Sequence, residues 1–119
     1  MDSLKDAYNT DLDPDAERPA QVIGKALVYP SPFQQKEGGQ LGYKLSKNMD
    51  VQIHVYDMLA NKLIDITCRK GTIGGSKGYN KLDINSETFN GYLLSAGVYF
   101  YLLIHNNKIL TKGKMAVIP

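Results

Sequence analysis

The chain has 119 residues, 43% hydrophobic and 22% charged, with a net charge of +2, which places it among ordinary globular domains and excludes general disorder. So small a charge does not argue for nucleic acid or an anionic membrane as partner. A domain of this length buries roughly two-thirds of its unfolded surface, enough for a core that needs no staples.

Eight Tyr, five Pro, eleven Gly and no Trp favour strands and turns over helices. The charge is unevenly placed. Residues 1–20 hold six acids and two bases, for −4, and the remainder holds six acids and twelve bases, for +6. Cys68 is the only cysteine, so an internal disulfide is impossible. No apolar run approaches the ~20 residues that span a bilayer. The start, MDSLKDAYNT, lacks the basic-then-apolar order of a signal peptide, so the chain is expected to be cytoplasmic or a piece of something longer with its targeting segment upstream.

Residues 1–20 are polar, carry Pro14 and Pro19, and read as a flexible acidic linker or arm, with the domain proper in 21–119. Asp11-Leu12-Asp13-Pro14-Asp15 has the alternating carboxylates of a calcium loop, but the sixth position is Ala16 rather than Gly and the twelfth is Val22 rather than Glu. Val22–Tyr29 is a first strand, stopped by Pro30-Ser31-Pro32, which suits an edge strand crossing between sheets. Gln40–Ser46 is a second strand. Val51–Tyr56 is a third, with the cleanest period-two alternation in the chain. Asp57–Asn61 turns and Lys62–Arg69 is a fourth strand. Lys70–Asn80, with four glycines, reads as a loop, and Leu82–Ile84 as a short strand. Asn85–Tyr92 is a polar connection. Leu94–Ile118 reads as a long hairpin turning at Asn106-Asn107, since Asn tolerates the left-handed conformation of tight turns. The whole predicts an all-β, immunoglobulin/fibronectin-like antiparallel β-sandwich of about seven strands.

The order of motifs is more specific than any one of them. Tyr29, Pro30, Pro32 and Phe33 form a Tyr-Pro-x-Pro-Phe opening. Val55-Tyr56-Asp57 ends the alternating strand. Gly97-Val98-Tyr99 opens the last hairpin, and Lys112, Lys114 and Met115 lie in its closing strand. This succession resembles the immunoglobulin-like module at the C-termini of many secreted bacterial proteins, in the group of the type IX secretion sorting domains and the immunoglobulin-like domain of the flagellar hook-capping protein. The resemblance covers about residues 25–118. Leu82-Asp83-Ile84 stands where that group often has Trp-Asp-Gly, and Ala60-Asn61 where it has Gly after the turn. The resemblance implies a non-catalytic secretion, anchoring or assembly module, secreted or at the cell surface, whose partners are proteins: the secretion machinery or neighbouring subunits.

Most motif residues read as structural. Pro30 and Pro32 remove ladder donors. Gly97 supplies a conformation or close approach that a Cβ forbids. Tyr99 is expected to pack its ring and tie its hydroxyl to nearby backbone, as in a tyrosine corner. The last hairpin has two possible registers. A two-residue turn puts Val98, Phe100, Leu102 and Ile104 on one face with Met115, Gly113, Thr111 and Ile109. A three-residue turn shifts the pairing by one and sends Tyr99, Tyr101 and Leu103 inward with Met115, Gly113 and Thr111. The group's usual charged residue where Leu102 stands favours the second, which leaves Val98, Phe100 and Leu102 as an exposed apolar stripe and candidate contact surface.

Catalytic, cofactor and metal patterns are not found. His54 and His105 lie on separate strands without a carboxylate or thiol at motif spacing, and Cys68 completes no zinc spacing. Ser76-Lys77-Gly78 stands where a phosphate loop needs Gly-Lys-Ser. The expectation is therefore no enzyme and no cofactor, with recognition through a sheet surface or an edge strand, Lys108–Ile118 or the first strand. Two alternatives come from other classes. A polymerising surface subunit would dock the acidic arm on a neighbour's basic body. A carbohydrate-binding module would present an exposed platform of Tyr side chains.

Overall fold

The computed structural model describes residues 17–119, and the acidic segment ahead of them, including the Asp11–Asp15 loop, lies outside the described residues. The described residues form eight strands: β1 (Val22–Tyr29), β2 (Phe33–Gln34), β3 (Gly39–Leu45), β4 (Val51–Tyr56), β5 (Lys62–Cys68), β6 (Gly78–Ile84), β7 (Gly97–His105) and β8 (Lys108–Ile118). They make a three-stranded sheet, β1-β3-β6, facing a five-stranded sheet, β2-β8-β7-β4-β5. Every pairing is antiparallel except β2 with β8.

Two expectations are corrected. There are eight strands rather than about seven, because Phe33 and Gln34 pair with Val117 and Ile118. A two-residue strand is too short to leave a periodic signal. The glycine-rich stretch is not loop throughout, since β6 already begins at Gly78, where Tyr79 and Asn80 pair with Lys44 and Tyr43. Pro30-Ser31-Pro32 carries the chain from the three-stranded to the five-stranded sheet, as the missing ladder donors suggested, and both X-Pro bonds are cis.

The core follows the alternation. Leu41, Tyr43 and Leu45 of β3 face Val51, Ile53 and Val55 of β4 and Tyr99, Tyr101 and Leu103 of β7 across the sandwich, all buried. Each such side chain contributes about 1.5–3 kcal/mol by leaving water. The polar groups buried with them have partners. Tyr43 donates its hydroxyl to the Gly74 carbonyl at 2.7 Å, and burial pushes its pKa well above the usual phenol range. Asn80 accepts from the Gly74 and Ser76 amides at 3.0 and 3.2 Å and donates to the Ser76 carbonyl at 2.8 Å. The Gly-rich segment is thus a fastened loop. A Cβ at Gly74 would meet the Cys68 side chain, and one at Gly75 the carbonyls of Arg69 and Met49.

The last hairpin combines both registers. Asn106 and Asn107 both have positive φ, 48° and 64°, the two-residue turn whose twist matches the strands it joins. Ile104 and His105 accordingly pair with Ile109 and Lys108. A bulge between Leu103 and Ile104 then shifts the pairing, so that Leu103, Tyr101 and Tyr99 pair with Thr111, Gly113 and Met115. The turn belongs to the first alternative and the inward set to the second.

Candidate functional site

The bulge decides which side chains β7 shows to solvent. Val98 and Phe100 are 42% and 38% exposed, and Leu102 is half-buried. The register gives this outer face its neighbours: Tyr56 of β4 and Lys114 of β8 flank Phe100, while His54 and Lys112 flank Leu102. The result is an apolar stripe along one strand, bordered by exposed lysines on one side and an aromatic and imidazole row on the other. His54 extends that row, with Nε2 3.3 Å from Asp65 Oδ1, and Lys62 Nζ reaches Asp65 Oδ2 at 3.1 Å. The alternation of Val51–Tyr56 places His54 on the outer side of its strand, and Asp65 carries no such signal. They become part of the face only through the β4–β5 and β4–β7 registers.

Five of the predicted site residues therefore come together here, the motif residues Tyr56, Lys112 and Lys114 and the stripe residues Phe100 and Leu102. The others do not. Phe33 and Met115 are core, 2% and 3% exposed. Tyr99 is core too, with its hydroxyl donating to the Ser95 carbonyl at 2.6 Å, the expected backbone tie. Gly97 opens β7 at φ 155°, and the nearest atom to a Cβ there is 3.9 Å away, so its requirement is conformational rather than steric. Pro30 and Pro32 are in the crossover. Asp57 fastens the β4–β5 turn. Its carboxylate accepts from the Leu59 and Asn61 amides at 2.8 and 2.9 Å and from the Asn61 side chain at 3.0 Å. The Asn61 bonds hold its pKa below the usual carboxylate value. In the same turn Ala60 sits at φ 65°, a conformation natural for the glycine that the resembling group carries there.

Tyr29 lies on the opposite outer face, that of the three-stranded sheet, at 71% exposure. Leu27 and Tyr79, each 60% exposed, accompany it around Gly42, where a Cβ would meet the Tyr79 hydroxyl. With Gln40 and Lys81 these residues line a shallow saddle of ≈ 310 Å³. Sequence reading missed it because Tyr79 lay in the stretch taken for loop.

The edges complete the inventory. Among the described residues β8 has a hydrogen-bonded strand on its outer side only at Val117 and Ile118, while β1 of the other sheet lies close beside it. β1 is an edge of its own sheet, and a groove of ≈ 350 Å³ separates the two strands. β5 and β6 are the remaining outer edges. Cys68 is buried on β5, where desolvation raises its thiol pKa, and His105 Nδ1 lies 2.7 Å from the Asp50 carbonyl, so the thiol and imidazoles are engaged separately. No described helix is long and apolar enough to cross a membrane.

No protein-family model matches the chain, and no curated protein matches it in sequence. Solved structures do. An immunoglobulin-like protein of Pseudomonas aeruginosa superimposes with a TM-score of 0.53 at 9% identity, over 87% of this chain and 99% of that one. The alkylpurine DNA glycosylase AlkC of Pseudomonas fluorescens gives 0.53 at 10% identity, over 84% of this chain and 30% of its own. PorZ, a surface component of the type IX secretion system of Porphyromonas gingivalis, gives 0.49 at 18% identity, over 79% of this chain and 11% of its own. The chain thus spans less than a third of two of these three structures. At such identities the likeness concerns fold alone, and the fold is an immunoglobulin-like β-sandwich.

Proposed function

We propose that this domain is a non-catalytic contact module of a secreted or surface-displayed bacterial protein, serving in its secretion, anchoring or assembly. The observation that carries this reading is the Val98–Phe100–Leu102 stripe with Lys112 and Lys114 beside it. β7 already supplies the core with Tyr99, Tyr101 and Leu103. Its second apolar set therefore serves no packing within the sandwich, and an exposed apolar row rimmed by charge has the composition of a protein-binding patch. The motif order from Tyr29 to Met115 supports the choice of partner class, the export machinery, because it resembles the sorting-domain group. A reporter carrying residues 21–119 at its C-terminus, expressed with a signal peptide in a type IX-competent bacterium, tests the reading. Surface delivery of the reporter is expected, and retention in the periplasm would refute the sorting role.

A second reading has its own observation. The saddle of Tyr29, Leu27 and Tyr79 over Gly42, with the Gln40 amide 3.1 Å from Asp83, is an aromatic surface with polar groups at its rim. Sugar rings stack on such surfaces. Retention on a polysaccharide column, lost in the Tyr29→Ala and Tyr79→Ala variants, would favour the carbohydrate-binding module over the protein-contact module.

A further inference from the structure

We propose that β5 pairs antiparallel with β5 of a second copy of this chain, about a two-fold axis at Thr67, so that Asp65 of each copy lies across from Arg69 of the other. The proposal does not depend on which partner the β7 face takes.

The two long sides of the sandwich differ. On one side the five-stranded sheet ends in the two-residue β2, and β1 of the facing sheet lies close beside β8. The other side has no such cover. There the sheet ends in β5, which among the described strands packs closely on β4 alone. From Ile64 to Cys68 its pairing with β4 is regular, and the run contains neither Pro nor Gly. It therefore lacks the bulges and prolines that commonly blunt an edge, and alternate residues offer their amides and carbonyls to another extended chain. On the core side of this edge Ile66, Ile73 and Leu82, with Thr88 and Asn90 among others, line a groove of ≈ 470 Å³. Ile66 and Leu82 are only half-buried there, and Ile73 is exposed. A strand laid against β5 closes the open side of that groove.

The residues along the edge make it complementary to itself. Asp65 and Thr67 lie on the outer face, across from His54 and Gln52 of β4, and the exposed Arg69 follows at the next position of the alternation. With the axis at Thr67, an antiparallel pair sets Asp65 against Arg69 twice and Thr67 against Thr67, both favourable cross-strand pairs. On the inner face Ile66 meets Cys68, apolar against apolar. Neighbouring registers lose this match. An axis at Asp65 puts two carboxylates face to face, and one at Ile66 sets Asp65 against Thr67 and Arg69 against Leu63. Charges on an edge usually turn partners away, whereas here their signs and spacing select a second copy. Asp65 is held in place by His54 and Lys62 yet remains exposed, and among the described residues the Arg69 side chain has no ion pair. The Arg69 carbonyl accepts from the Thr72 amide and hydroxyl at 3.0 and 2.7 Å, so the pairing ends at that turn. In such a dimer the two five-stranded sheets run on as one, and both Val98–Phe100–Leu102 stripes lie on the same side. A target with two matching sites would then be held by both.

Sedimentation equilibrium of the full chain, carried up to millimolar concentration, tests the association. Wild type is expected to form a reversible dimer. Asp65→Arg and Arg69→Asp each set like charges opposite and should weaken it about 10-fold or more. The combined variant restores opposite signs and should return to within about 3-fold of wild type. Arg69→Asp leaves the His54–Asp65–Lys62 row intact, so its effect is read free of that row. In a mixture of copies carrying two different isotope labels, NMR should show Thr67 of one copy in contact with Thr67 of the other. That contact reads the register in wild type, so the test stands even where a variant fails to fold. A wild-type chain that stays monomeric, a dimer indifferent to Arg69→Asp, a folded combined variant as weak as the single ones, or contacts that map elsewhere overturns the proposal. Failure of reporter export leaves these association constants untouched, so the two readings fall separately.

Discussion

Tyr99, Tyr101 and Leu103 point from β7 into the core, and Val98, Phe100 and Leu102 point from the same strand to the outside. The two sets are alike in composition: aromatic or aliphatic, three residues each, interleaved one by one. They differ in what meets them. The inner set is buried in the core with Tyr43 and Leu45 of the facing sheet and flanked by Met115, Ile53 and Val55 of its own, while the outer set meets lysines, a tyrosine, an imidazole and solvent. Composition along a strand therefore does not say which face a fold buries. A single unpaired residue in β8 does, because it shifts the pairing by one and exchanges the faces.

The inner face should dominate stability. Leu103 has no exposed surface, and Leu103→Ala is expected to lower the unfolding free energy by about 2–5 kcal/mol in urea titrations. The same truncation at Phe100, 38% exposed, should cost much less, and equal losses would mean that the two faces are not what the register says. Gly113 makes the next test. It lies across from Tyr101, whose ring occupies the space of its missing Cβ, so Gly113→Ala overpacks the pair and should cost about 1–3 kcal/mol. Tyr99→Phe removes only the hydroxyl that ties the ring to the Ser95 carbonyl, with an expected loss of about 1 kcal/mol in the same urea titrations.

The smallest effect belongs to the turn beside the outer face. The folded pKa of Asp57 is depressed below its unfolded value of about 3.8, so its contribution is fully present above that value. It is lost as pH falls through the lowered folded pKa. Protection of the Leu59 and Asn61 amides, measured as exchange relative to the intrinsic rate at each pH, should therefore fall below about pH 4, and Asp57→Asn should show that lower protection already at neutral pH.

Much of this fold was legible in the residues. The Val51–Tyr56 alternation and the Pro30-Ser31-Pro32 crossover required nothing beyond local chemistry, and the Asn106-Asn107 turn was equally clear. What was not legible depended on partners distant in sequence. β2 exists only because Phe33 and Gln34 meet Val117 and Ile118. The start of β6 was hidden by a run of four glycines, of which Gly74 is required by close packing against Cys68 and Gly75 by the Arg69 and Met49 carbonyls. His54 and Asp65 joined the candidate face only through cross-strand register. The stripe itself was visible as one of two alternatives, and the bulge that selects it has no residue signature, since Leu110 is neither glycine nor asparagine.

The central claim is that the outer face of β7 is for contact and the inner face for folding. It is tested most directly by delivering the same reporter with Val98→Ser/Phe100→Ser/Leu102→Ser in residues 21–119, alongside wild type and a Leu27→Ser/Tyr29→Ser control on the other sheet. The triple variant should keep its cooperative unfolding yet leave the reporter undelivered, while the control and wild type reach the surface. Delivery of the folded triple variant at the wild-type level would contradict the account.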